Sequence, residues 1–247
     1  MKKGMVIDMK TKNKTVAIVL AAGQGKRMHS DVQKQYILIN DRPVIFYALE
    51  KFQKSFIDEI ILVVGKGEKD YCNREIVKKY NFTKVKNIVE GGSERYHSVA
   101  NGLRVIEGNG YVFIHDGARP FISEDILRRA YDAVKEFNAC VVGMPVKDTI
   151  KVVDENRFAS QTPNREALWQ VQTPQVFTIN LAKEAYEKLF ENEEELKKRG
   201  IQITDDAMVV ETLMNKPVKL VEGSYENIKI TTPEDLKIAY SLVNDNS

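Results

Sequence analysis

Five apolar residues, Val16-Ala-Ile-Val-Leu20, run straight into a turn of small residues, Ala21-Ala22-Gly23, and then into Gln24-Gly25-Lys26-Arg27-Met28. A run of that length and composition reads as a strand buried on both faces, as parallel sheets require. A strand ending in a glycine turn is a place where backbone N–H groups meet phosphate. Two common phosphate loops do not fit. The dinucleotide fingerprint needs a third glycine where Met28 stands, and the Gly-Lys-Ser/Thr loop needs a hydroxyl where Arg27 stands. What remains is a glycine turn with fixed cations, followed by a further cation at Lys34. That suits a polyphosphate whose charge rises during reaction. The same residues taken alone also suit an ordinary basic surface loop.

The strand-and-helix rhythm then repeats. Glu59 to Val64, Lys84 to Val89, Tyr111 to His115 and Ala139 to Met144 read as further buried strands. Helices are expected over Pro43–Gln53 and Lys69–Tyr80, through Ser98, Val99, Leu103 and Val105, and over Ser123–Phe137. The alternation predicts an α/β fold: a Rossmann-like, mostly parallel sheet with helices on both faces and right-handed crossovers. Ligands in such sheets collect beyond the carboxyl ends of the strands. Polar clusters at 23–34, 91–98 and 116–119 each follow an expected strand, so they should converge on one rim.

Past Pro145 the rhythm breaks. Lys151–Val153 and Arg157–Ala159 flank the acidic turn Asp154-Glu155-Asn156 and read as a hairpin. Such a hairpin cannot bury two faces alone, so residues 146–170 are expected to form an inserted dimerisation arm. Ala182–Glu194 reads as a helix, and Thr204-Asp205-Asp206 caps another through Leu213. Val218–Glu222 and Asn227–Ile230 read as strands, and Thr232-Pro233 starts the last helix.

A chain of 247 residues with 43% hydrophobic content can fill one such core. Residues 1–14 are basic without an apolar core, unlike a secretory signal, and are expected to be a disordered extension. Residues 15–247 are then expected to form a single domain. Lys and Arg number 37 against 35 Asp and Glu, a balance that argues against nucleic acid or a membrane surface as partner. Cys72 and Cys140 belong to no CxxC pair, which fits reduced thiols in a cytoplasmic protein. No run approaches the ~18 apolar residues of a membrane span.

Eight blocks in this order resemble one family: LAAGQGKRM at 20–28, KQY at 34–36, GGSERYHSVANGL at 91–103, HDGARPF at 115–121, PVKDTIK at 145–151, REALWQVQTPQVF at 165–177, TDDA at 204–207 and NIKITTPEDL at 227–236. The chain looks like the 2-C-methyl-D-erythritol 4-phosphate cytidylyltransferases of the non-mevalonate isoprenoid pathway. The resemblance runs from about residue 16 to 243. It implies an enzyme that joins CTP to methylerythritol phosphate with Mg2+ and releases pyrophosphate, working as a homodimer through its arm. Arg27 and Lys34 match the cations said to stabilise the transition state, and Arg165 and Lys229 match those that position the sugar phosphate. Asp116, Arg119, Thr149, Thr173 and Thr204 match further substrate contacts. Ala21, Ala22, Gly23, Gly25, Gly92 and Ser98 match the nucleotide pocket. Three positions depart from the family's usual pattern. Gln33 stands where Pro is usual, which leaves the lysine loop freer. Gly117 replaces the usual Ala, and Ser93 a common acidic residue.

The residue types suit that chemistry. A phosphate monoester is already anionic near neutral pH and needs no general base. The difficulty is to bring two anions together and stabilise the charge that develops. Arg27 offers a planar fork and Lys34 a point charge. Asp116, at a strand end, suits Mg2+, which takes one or two carboxylates plus substrate phosphates. Asp205 and Asp206 suit the positive end of a helix better than a metal. His29, His97 and His115 show no metal-binding spacing and read as structural. The nearest alternative is a ribitol-5-phosphate cytidylyltransferase, disfavoured by TDDA and by Lys151 after Asp148-Thr149-Ile150. A nicotinamide dehydrogenase is disfavoured by Met28. A non-catalytic nucleotide-binding module is disfavoured by Arg27, Lys34, Asp116, Arg165 and Lys229 occurring together.

Overall fold

Alternation along the first strand sets the architecture. In the computed structural model, which describes residues 13–23 and 32–245, β1 (Lys14–Ala21) sends Val16 and Ile18 to one face of a sheet and Ala17 and Val19 to the other, all four fully buried. A 3-10 turn (Lys34–Tyr36) and the short pair β2 (Leu38–Ile39) and β3 (Arg42–Pro43) lead into α1 (Val44–Lys54). There follow β4 (Glu59–Val64), α2 (Lys69–Tyr71) running into a π-helical turn (Cys72–Lys78), β5 (Val85–Glu90), α3 (Arg95–Arg104) and β6 (Gly110–Asp116). Next come α4 (Glu124–Phe137) and β7 (Ala139–Pro145), then the hairpin strands β8 (Val152–Val153) and β9 (Ala159–Gln161) and a 3-10 turn (Arg165–Ala167). The chain finishes with β10 (Trp169–Thr178), α5 (Ile179–Lys198), α6 (Asp206–Met214), β11 (Lys219–Glu222) and α7 (Pro233–Asp245).

Among the described residues the main sheet has seven strands, ordered β11-β7-β10-β6-β1-β4-β5. Every pairing is parallel except those of β10, which runs antiparallel between β6 and β7. One face carries Val99 and Leu103 of α3, Tyr186 and Leu189 of α5 and Val209 of α6. The other carries Leu49 and Phe52 of α1 and Leu127 and Val134 of α4. The expected Rossmann-like, mostly parallel sheet with helices on both faces is therefore present.

Two elements differ most from the sequence reading. The stretch QVQTPQVF was not expected to be a strand, yet it forms most of β10 in the middle of the sheet. Its pairing with β7 shifts between Val171 and Gln175, and Pro174 falls in that irregularity, where a missing N–H is tolerated. Asn227–Ile230, in contrast, is no strand. Buried Asn227 donates its side-chain amide to Gln172 Oε1 and the Thr173 carbonyl, and Ile230 N–H reaches the Ala118 carbonyl at 2.8 Å. Those partners hold it as an irregular strap beside β10. Of the expected N-terminal extension, residues 1–12 lie outside the described residues. Lys14 already belongs to β1, with Nζ 2.7 Å from Glu59.

Candidate nucleotide site

The carboxyl ends of β1, β5 and β6 open into one cavity of about 650 Å3. Ala21, Ala22 and Gly23 line it from the end of β1, and Lys34 from the turn that follows. Gly92 and Ser98 line it from the loop into α3 and the first turns of that helix. Asp116 stands at the end of β6, and Lys229 reaches in from the strap before α7. The three polar clusters thus share a rim, as parallel topology demands. Two expected members, Gly25 and Arg27, lie outside the described residues, as does His29.

The glycine turn before α3 is shaped by contact. A Cβ on Gly91 would stand 2.4 Å from the Ala22 methyl, and one on Gly92 2.3 Å from the His97 Cβ. Only glycine lets this loop approach the β1 turn at 91 and fold against α3 at 92 this closely. Ser98 Oγ donates to the Glu94 carbonyl and accepts from Gly92 N–H at 3.1 Å. Ser98 therefore holds the loop's shape from inside the helix rather than capping it.

Asp116 sits in a row of alternating charge. Its Oδ2 lies 2.6 Å from Lys229 Nζ, and its Oδ1 accepts from Arg95 Nε at 3.3 Å. The Arg95 guanidinium makes two further bonds, at 2.7 and 2.8 Å, to the fully buried carboxylate of Asp206. Tyr186 donates its hydroxyl to the same carboxylate at 2.5 Å. Burial alone would raise the Asp116 carboxyl, but Arg95, then Lys229 and Arg119, hold it well below the usual carboxylate range. Behind it, Asp116 N–H donates to Thr173 Oγ1 at 3.1 Å. Thr173 thus supports Asp116 from the second layer.

The remaining expected residues stand apart. Arg119 turns inward and donates to the Asn227 carbonyl at 2.7 Å, pinning the strap that carries Lys229. Thr204 is exposed before α6, against Met208 Sδ. Thr149 and Arg165 are exposed on the 146–170 segment, where Arg165 donates to the Lys147 carbonyl at 2.9 Å. Neither lines the cavity of its own chain.

A family model for IspD, 2-C-methyl-D-erythritol 4-phosphate cytidylyltransferase, matches residues 15–245. The chain belongs to this family. A relative of that name from Lachnospira eligens is 51% identical over 224 residues, covering 90% of this chain and 96% of the relative. Another from Lachnoclostridium phytofermentans is 48% identical over 232 residues, covering 94% of this chain and 97% of the relative. Among solved structures, the 4-diphosphocytidyl-2C-methyl-D-erythritol synthase of Anaerococcus prevotii superposes with a TM-score of 0.80 at 33% identity, over 94% of this chain and 96% of that one. The ribitol alternative is not favoured by these matches.

Arg95 and Asp206 carry the site's frame, and the family motifs alone gave them no role. Asp206 read as a helix-end charge, yet Asp205 does the capping, accepting Met208 N–H at 2.8 Å. One sequence signal was available. Arg95 opens α3, where the helix dipole disfavours a cation. A cation in that position implies a strong anion partner, here one 111 positions away.

His115 is structural, as expected, and sensitive to acid. It is fully buried, with Nε2 3.0 Å from the Arg119 carbonyl and Nδ1 3.1 Å from Thr173 Oγ1. Burial pushes its pKa down to about 4 from an ordinary 6.5. Between those values the unfolded chain binds a proton that the folded one refuses, so stability falls as the pH drops. The loss should reach about 3 kcal/mol by pH ~4. Asp116, held low, adds its own loss only below its unfolded value of 3.8. Urea unfolding at stepped pH should show the slope in the wild type and a flatter one in His115→Gln. Equal slopes would assign the acid loss to other groups.

Proposed function

We propose that this chain transfers the cytidylyl group of CTP to the phosphate of 2-C-methyl-D-erythritol 4-phosphate. A phosphate oxygen of the acceptor attacks the α-phosphorus, and the bond from that phosphorus to the bridging oxygen of the β-phosphate breaks. The products are 4-diphosphocytidyl-2-C-methyl-D-erythritol, an isoprenoid precursor, and pyrophosphate. The observation that carries this reading is the cavity where a small-residue turn faces Lys34, Asp116 and Lys229, in a chain matching the family over nearly its whole length.

The residues divide the work. Ala21, Ala22, Gly23 and Gly92 leave a slot for a pyrimidine, with Ser98 fixing the loop that reads its edge. Gly25 and Arg27, next in sequence after that turn, are assigned to phosphate binding by their match to the family's motif, and Arg27 joins Lys34 in stabilising charge on the α-phosphate and the leaving group. Lys229 positions the acceptor phosphate, Thr204 contacts it from the loop before α6, and Thr149 and Arg165 reach the acceptor in the other subunit's cavity. Arg119 and Thr173 act through Lys229 and Asp116.

Mg2+ fits this donor set as a phosphate-held ion. Among the described residues no group of three or more His, Cys, Asp or Glu is placed to hold a metal, so most ligands must come from substrate. Asp116 is the ionised carboxylate that would join them. When bound, the ion supplies charge neutralisation at the phosphates. Residues 15–247 act as one catalytic domain, paired in a symmetric dimer through 146–170. The setting is the cytoplasm, where nucleoside triphosphates are supplied; no described helix is long and apolar enough to cross a membrane.

Pyrophosphate release tests the reading. CTP should exceed ATP and GTP in kcat/KM by at least ~10²-fold, as for a site whose polar groups need one base edge. Release should require methylerythritol phosphate and fail with ribitol 5-phosphate. Comparable turnover with ATP would sink the pyrimidine slot.

A further inference from the structure

The lysine turn is tied down by a carboxylate that lies outside the cavity. Gln33 enters the turn extended, with φ −60° and ψ 138°. Its side-chain amide donates to Oε1 of Glu68, in the loop after β4. Oε2 of Glu68 accepts from the Tyr36 hydroxyl at 2.8 Å and from Gly65 N–H at 3.1 Å. Between these anchors, buried Gln35 donates one amide hydrogen to Gln33 Oε1 at 2.5 Å and the other to the Ala21 carbonyl at 2.6 Å. Gln33, Gln35 and Tyr36 are thus fastened to the ends of β1 and β4, and Lys34 is the residue they carry into the cavity.

Two further observations mark Glu68 as placed for this task. It stands at the N-terminal cap of α2 yet makes no side-chain bond to its own helix. Its carboxylate instead folds back over Gly65, where a Cβ would lie 2.7 Å from Glu68 Cδ. A three-residue 3-10 turn has little stability of its own, so its position is set by what holds it. The greater freedom that Gln33 brings to the lysine loop is offset by these side-chain bonds.

We propose that Glu68 is a positioning residue for the reaction: by clamping Gln33 and Tyr36 on either side of Lys34, it fixes where the ammonium group meets the phosphates. The proposal rests on Lys34 being the cation that stabilises the transition state. Glu68 does not line the cavity, so its removal should cost turnover rather than binding.

Steady-state kinetics on four variants test it. Glu68 is half-buried, so Glu68→Ala should fold. It should lower kcat by about 10-fold, a loss on the scale of small misplacements in an active site, with KM for CTP within about twofold. In a Lys34→Ala background the same change should cost no more than about twofold further, since the clamped group is already gone. Gln33→Pro/Glu68→Ala should recover most of the lost turnover, because the ring fixes φ near the −60° already adopted. An undiminished kcat in Glu68→Ala, beside an impaired Lys34→Ala, would overturn the clamp and leave the role of Lys34 standing. The same holds if Glu68→Ala costs as much without Lys34 as with it, or if the proline restores nothing. Full turnover in Lys34→Ala would instead remove the reading of Lys34, and the clamp with it.

Discussion

Lys34→Ala is expected to lower kcat by about 10²–10³-fold, the usual cost of removing one preorganised group that meets developing charge. The attacking phosphate needs no activation, so the barrier is electrostatic: two anions approach, and charge shifts onto the α-phosphate oxygens and the departing pyrophosphate. Lys34 lines the cavity together with Arg95, Asp116 and Lys229. Lys229 lies 2.6 Å from Asp116, and Arg95 pairs with both Asp116 and Asp206. Those pairs fix geometry and leave the row near charge balance. Lys34, carried by a separate turn, is expected to meet the charge that develops as the bond breaks. CTP binding should therefore change less than turnover. A variant that raises KM with kcat intact would make Lys34 a ground-state contact.

Much of this was legible in the sequence because fully buried parallel strands leave a plain trace. Glu59–Val64 is an unbroken apolar run after its first residue, and β4 has the same bounds. The convergence of three polar clusters followed from topology alone. The central β10 was not legible, because its residues are those that usually mark a loop. Gln172, Thr173 and Gln175 are buried in the sheet only because distant groups satisfy them. Gln175 accepts Ala207 N–H at 2.7 Å and donates to Asp205 at 3.1 Å. Gln172 donates to the Ser224 carbonyl at 2.7 Å. Such partners lie tens of residues away, and local pattern carries no record of them. Asn227–Ile230 failed for the opposite reason: its composition suits a strand, but its polar groups are claimed by β10 and Ala118. The residues resembling family motifs were found, whereas the tether through Glu68 was not, since nothing near Glu68 in sequence points to a turn thirty-odd residues earlier.

Mixing two inactive variants, Arg165→Ala and Lys34→Ala, should restore roughly a quarter of wild-type activity once subunits exchange, since half the dimers are mixed and half their sites are whole. The expectation comes from the 146–170 segment. It leaves the sheet at Pro145 and returns at Trp169, and Val146 N–H to the Leu168 carbonyl closes its base at 3.0 Å. Beyond that base, among the described residues, β8 and β9 pair only with each other. A two-stranded hairpin is marginal alone in water. This one also displays apolar side chains, with Phe158 73%, Val153 53% and Val152 44% exposed. Asp154 Oδ1 accepts Asn156 N–H and Phe158 N–H, both at 2.9 Å, so the tip is formed in the single chain and its apolar side chains await a partner surface. In the proposed dimer a second copy would supply that surface under two-fold symmetry, each hairpin lying on the other subunit. Arg165 and Thr149 travel with the hairpin, away from the cavity of their own chain. A guanidinium fork holds two oxygens of a phosphate and leaves the third to attack, which suits Arg165 to the acceptor bound in the neighbouring cavity. Each parent variant lacks one of the two cations in every site, and only the mixed dimer contains one site with both. If the mixture stays as inactive as its parents after exchange is shown by mass, Arg165 and Lys34 serve the same chain's site, and the hairpin is a clasp alone.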